Sequence, residues 1–169
     1  RMLRAVRFVG KLGLQLEADT AEPIRRLAPL LRDVSPSRLF DEILKLLQAG
    51  HGQATFPELV KYDLLRPLFP QTEALLGGAD ELHHQHLIDL ALLNTDTRLN
   101  EGKSVTPAFL YAALHWPQVQ HRWQELEAEG NGRTQALTIA CSETLDFNQQ
   151  FIAIPKRFSV TIREIWELQ

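Results

Sequence analysis

The sequence predicts an all-α fold, a multi-helix bundle, on three observations. Apolar residues recur at three- and four-residue spacing along nearly the whole chain. Helix starts and stops are marked by Ser-Pro and Thr-Pro pairs and by glycines. No convincing alternating strand, hairpin signal or βαβ spacing interrupts the pattern.

Each element follows from its residues. In RMLRAVRFVGKLG, Met2, Leu3, Ala5, Val6, Val9 and Leu12 share one helical face, and Arg1, Arg4, Arg7 and Lys11 share the other, with Phe8 beside them; the helix ends near Gly13. LGLQLEA reads as an extended link. Asp19 or Thr20 then caps a helix through TAEPIRRLAPLLRD, with Pro23 in its first turn and Pro29 as a kink or stop. SPSRLFDEILKLLQAG is the cleanest helix. Ser35 is its N-cap, Pro36 its first residue, Leu39, Ile43, Leu46 and Leu47 its apolar stripe, and Gly50 lies just past its end. FPELVKYDLL and LFPQTEALL read as short helices broken by Pro57, Pro67 and Pro70. ADELHHQHLIDLALLNTD is a longer helix, and TPAFLYAAL starts another at Thr106-Pro107. PQVQHRWQELEAEG follows as a separate helix ending at Gly130. RTQALTIACSETLDFNQQFIA is helical up to Pro155, and KRFSVTIREIWELQ restarts. Helices uncapped at both ends predict an excerpt of a longer chain. A boundary is expected at Ala-Gly-His-Gly, dividing a basic section, 1–50, from a more neutral helical body, 51–169.

Composition narrows the function classes. The chain has 169 residues, 44% hydrophobic and 23% charged, enough for one domain or two small ones with a real core. A net charge of −3 excludes polyanion binding by bulk charge and leaves local basic patches to do it. A single cysteine, Cys141, excludes an intramolecular disulfide and fits a reducing compartment. No apolar run approaches the roughly 18 residues of a membrane span and no signal peptide is visible, so a cytoplasmic setting is expected.

Catalytic constellations are weak. His83, His84 and His86 cluster near Glu81 and Asp89, and His83 and His86 lie on adjoining turns. The pattern is not HExxH, and two imidazoles are not a complete site, so a polar helix face is expected. Cys141 sits among Ile139, Ala140 and Leu145, as a core thiol does. GxSxG and GxxxxGK[ST] are absent, and the glycine pairs read as turns. The residues alone therefore name no catalytic group and no metal ligand.

The arginine stripe is the sharpest feature. Most basic stripes are solvated helix faces. Here arginine stands where lysine would solvate equally well, and its planar fork suits phosphate oxygens and base edges. The apolar opposite face would hold those guanidinium groups in place.

RMLRAVRFVGKLGLQLEADTAEPI resembles the neck helix of the class II nucleotidyltransferases, the bacterial poly(A) polymerases and CCA-adding enzymes, where the segment reads R-x-L-R-A-x-R-F. Arg1, Leu3, Arg4, Ala5, Arg7 and Phe8 match. SPSRLFDEILKLL resembles the next neck element, with Arg38 and Glu42 at its paired positions. LLNTDTRLN, TPAFLYAALHWP and AIPKRFSVTIREIWELQ resemble the body of the poly(A) branch, and the likeness runs over essentially the whole chain.

The resemblance implies a neck (1–50) and body (51–169) that work beside an N-terminal catalytic head, whose paired aspartates hold Mg²⁺. It implies ATP and RNA 3′ ends as partners, with no metal held by this chain. By position Arg1 and Arg4 are nucleotide-binding, Arg1 reading the adenine edge with an acidic partner upstream. Arg7, Arg38 and Glu42 are neck scaffold, with Arg38 and Glu42 at i, i+4 spacing, a pair worth only about 0.3–0.5 kcal/mol when exposed. Lys11, on the same stripe, is an RNA-binding candidate, as are Lys156 and Arg157, because cations at a helix start oppose the dipole and so suit phosphate. Trp116, Trp123 and Trp166 read first as core and second as base-stacking rings. An arginine-rich tail is expected beyond the last residue. The rivals are a CCA-adding fragment and a purely structural helical module.

Overall fold

A computed structural model describes residues 1–78 and 80–168; the expected starts and stops at Ala79 and Gln169 lie outside them. Among the described residues there are ten α-helices and no strand. The N-terminal helices are α1 (Met2–Leu12), α2 (Ala18–Leu27), α3 (Pro36–Leu47) and α4 (Gly52–Lys61), with a 3-10 helix, Ala28–Asp33, between α2 and α3. Then come α5 (Leu65–Leu68), α6 (Pro70–Leu76), α7 (Glu81–Asn100), α8 (Pro107–Ala128), α9 (Arg133–Asn148) and α10 (Lys156–Glu167).

α1 packs on α3 and α4. It stops at Gly13, whose φ of 64° closes the helix in the left-handed conformation. Gly10 lets α1 approach α4 closely, since a Cβ there would collide with Thr55. The start of α4 is capped from afar. Asp96 of α7, 7% exposed, accepts from the Gly52 and Gln53 amides at 2.8 and 2.9 Å. Both acceptor oxygens thereby satisfy orphan donors of a helix N-terminus.

Prolines mark the differences from the sequence reading. α2 starts at Ala18 after Glu17 rather than at Asp19 or Thr20, so Pro23 lies inside it; Pro29 falls in the 3-10 turn that ends it. Pro57 lies within α4 without breaking it. The two helices expected around Pro117 are one helix, α8. A proline disrupts the hydrogen bonding of the preceding turn. The carbonyl that Pro117 leaves without its helical donor is that of Ala113; the flanking carbonyls of Ala112 and Leu114 accept from Trp166 Nε1 (3.0 Å) and Thr72 Oγ1 (2.8 Å), which tie this turn to α10 and α6. α9 ends at Asn148, and the segment up to Pro155 is not helical.

The core is continuous across residue 50. Phe40 of α3 stacks on Tyr111 of α8 at 5.1 Å and on Phe158 of α10 at 5.9 Å. The Tyr111 hydroxyl donates to the Phe40 carbonyl at 3.2 Å. The Ala153 amide donates to the Pro36 carbonyl at 3.1 Å, tying the start of α10 to the start of α3. α8 carries the body, with α6, α7, α9 and α10 packed around it.

Candidate nucleotide and RNA interface

The cationic face of α1 is presented by the burial of its opposite face. Leu3, Val6 and Val9 are buried against α3 and α4. Arg1, Arg4 and Lys11 are exposed, and Arg7 is half-buried with its guanidinium 5.8 Å from the Phe8 ring centroid. Arg1 stands at the N-cap position, its carbonyl accepting from the Ala5 amide at 3.1 Å.

The packing of α1 on α3 brings Glu42 under this face. Its carboxyl is held below the usual range, first by a hydrogen bond from Lys45 Nζ at 2.8 Å, and also by the charges of Lys45, Arg7 and Arg4. The ion-pair partner is therefore Lys45, not Arg38 as the i, i+4 spacing predicts. Lys45 at i+3 reaches the same oxygen, leaving Arg38 exposed and unpaired among the described residues. The charges of Arg4, Arg7 and Lys45 all act on the Glu42 carboxyl.

Lys156 and Arg157 are exposed in the first turn of α10, and Arg157 lies 4.8 Å from the Phe158 ring centroid. Because Pro36 and Phe40 touch the start of α10, these cations stand at the N-terminal end of α3, where Arg38 also lies. Lys11 is at the far end of α1. The candidates thus form two groups, one along α1 and one where α3 meets α10.

Other singled-out residues serve packing. Trp166 and Trp123 are buried, with indole N–H groups donating to Ala112 and Arg133 carbonyls. Trp116 is half-buried. Burial pushes the Cys141 thiol up to about 11, which keeps it an unreactive core group. His84 is buried near the Leu75 carbonyl, while His83 and His86 are exposed. Among the described residues no three or more His, Cys, Asp or Glu side chains gather into a metal-holding group. No helix among them is long and apolar enough to cross a membrane.

Comparison with known proteins gives the family. Residues 13–76 match the family model described as "Probable RNA and SrmB-binding site of polymerase A", and residues 129–169 match "Polymerase A arginine-rich C-terminus". The second match corrects the expectation that this tail lies wholly beyond the chain; the matched stretch contains Arg133, Arg157 and Arg163. The chain is 44% identical over 171 residues to poly(A) polymerase I of Escherichia coli, covering 100% of this chain and 37% of that protein. It is 41% identical over 170 residues to poly(A) polymerase I of Haemophilus influenzae, covering 100% and 38%. The chain thus spans less than two-fifths of the length of these relatives. A CCA-adding enzyme of Geobacillus stearothermophilus is 42% identical over only 64 residues, 38% of this chain and 16% of that protein. Since the likeness to poly(A) polymerases runs the full chain at 41–44% identity, against 29% for a multifunctional CCA protein of Xanthomonas euvesicatoria over the same span, and two of their segment models match it, the chain belongs to the bacterial poly(A) polymerase family.

Proposed function

We propose that this chain is the neck (1–50) and body (51–169) of an enzyme that adds AMP from ATP to RNA 3′ ends without a template. The RNA 3′-hydroxyl attacks the α-phosphate in line and releases pyrophosphate. The transfer and its Mg²⁺ belong to a separate catalytic head. This part selects ATP and holds RNA, and is inactive alone. Such an enzyme works on RNA in the cytoplasm.

One observation carries the reading: α1 is clamped along Leu3, Val6 and Val9 while Arg1 and Arg4 remain exposed. A guanidinium only donates, so Arg1 suits the acceptor nitrogens of adenine and Arg4, one turn on, suits phosphate. Arg7 and Glu42 support that face from the α1–α3 contact.

The test uses the longer protein with its catalytic head, a short RNA primer, Mg²⁺ and single nucleotides. Long tails with ATP alone are expected. Arg1→Ala should cut the extension rate by about tenfold or more, the worth of a lost charge-assisted hydrogen bond. Extension that stops after a few nucleotides and needs CTP would assign the chain to the CCA-adding branch. An unaffected variant would make the stripe a solvated helix face.

A further inference from the structure

A second cationic feature lies away from α1. Arg25 of α2, Arg32 of the 3-10 helix and Arg66 of α5 line one cleft of about 630 Å³. Its apolar lining includes Ala28, Pro29 and Pro67. The elements are joined there because α5 packs on the 3-10 helix.

Two of these arginines are held by something other than a carboxylate. Arg25 Nε donates to the Lys61 carbonyl at 3.1 Å, and its guanidinium lies 5.4 Å from the centroid of the Tyr62 ring. Tyr62 is 1% exposed, so that ring is a rigid platform. The Arg32 guanidinium lies 6.0 Å from the Phe151 ring centroid. Neither Arg25 nor Arg32 is in an ion pair among the described residues. Arg66 pairs with Glu73 at 3.4 Å and is 72% exposed, and Asp63 also borders the cleft. An arginine steered by an aromatic face keeps its outer N–H donors and its full charge for a ligand. Stacking costs it neither, whereas a carboxylate would consume both.

We propose that this cleft is a phosphate-binding site for single-stranded RNA, with Arg25 and Arg32 as the principal donors and Arg66 at the rim. The inference rests on the RNA-holding reading above, and narrows the matched 13–76 region to particular side chains. Phosphate fits better than a base here, since the lining offers no aromatic face and its two arginines outside any ion pair are donors only, against the carboxylate of Asp63 at the cleft border, with that of Glu73 paired to Arg66.

The test is fluorescence anisotropy of a labelled oligo(A) with the 169-residue chain and with the longer protein, over a range of salt. Two double variants are compared, Arg25→Gln with Arg32→Gln, and Arg32→Gln with Arg66→Gln. The second spares the Arg25–Lys61 hydrogen bond in case its loss perturbs folding, and circular dichroism checks both. Loss of two phosphate contacts should weaken binding about 10- to 30-fold near 0.1 M salt and reduce the log–log salt slope by about 1.4. RNA binding by the unaltered protein that neither variant changes, in affinity or slope, overturns the proposal, and is also the result expected if the cleft takes a protein partner. No RNA binding by the unaltered protein overturns the RNA-holding reading itself.

Discussion

His115 shows how much a single residue in this bundle depends on its surroundings. It has no exposed surface, and burial pushes its imidazole down to about 3 from an ordinary value of 6.5. It is therefore neutral in the folded chain. Gln118 Nε2 lies 3.1 Å from His115 Nδ1 and donates to Thr72 Oγ1 at 2.7 Å, while Asn148 Nδ2 donates to Gln118 Oε1 at 2.8 Å. The unfolded chain binds a proton at His115 below pH 6.5 and the folded chain does not. Stability is thus full above pH 6.5 and falls, by about 1.4 kcal/mol per pH unit from this group, as the pH drops toward 3. Urea denaturation at a series of pH values should show that slope and show it flattened in His115→Phe. Equal slopes in the two proteins would mean that other groups govern acid unfolding. At the same scale, the α1 arginines were legible in the sequence because spacing alone puts Arg1, Arg4 and Arg7 on one face. The Glu42–Lys45 pair was not, since several cations lie within reach and only rotamers and packing select one.

Among the elements, α4 depends most on a distant partner. Its first two amides are bound by Asp96, 43 and 44 residues away, and Asn100 of the same helix donates to the Gly50 carbonyl at 3.1 Å. The NTDTR stretch, which set this chain apart as a poly(A)-branch sequence, therefore has a structural task at the entry to α4. Asp96→Ala should cost about 2–3 kcal/mol, the value of a charged cap with two buried bonds, measurable as a drop in the denaturation midpoint with an unchanged m-value. A loss below about 0.5 kcal/mol would show that water replaces the carboxylate without penalty. Helix existence was readable from periodicity, but proline positions were misread in α2, α4 and α8. A proline's local cost is fixed, while the packing that carries α8 past Pro117, including the bonds from Thr72 and Trp166 to carbonyls in the turn before it, comes from elements no local window contains. The Arg25–Arg32–Arg66 cleft was missed for the same reason: α2, the 3-10 helix and α5 meet only in the fold.

For the whole molecule, the shared core across residue 50 makes a thermodynamic statement. Phe40, Tyr111, Phe158 and the Ala153–Pro36 bond couple α3 to α8 and α10. The chain should therefore unfold in one cooperative transition, with tryptophan fluorescence, which reports residues 116–166, coinciding with helical circular dichroism, which reports all elements. Two separated transitions would show that the 1–50 section melts independently.

The sequence by itself determined the helical class, the approximate places of most helices and the cationic face of α1. Helical periodicity and caps are short-range properties, set by residues three or four apart. The R-x-L-R-A-x-R-F and NTDTR stretches also carried the family resemblance. Only the tertiary structure decided which carboxylate meets which cation, that Asp96 caps α4, that α8 passes unbroken through Pro117, and that three arginines from separate elements share a cleft. The Asp96 cap and the arginine cleft depend on partners tens of residues away, and their energies exist only once packing has brought the partners within hydrogen-bond or Coulombic range.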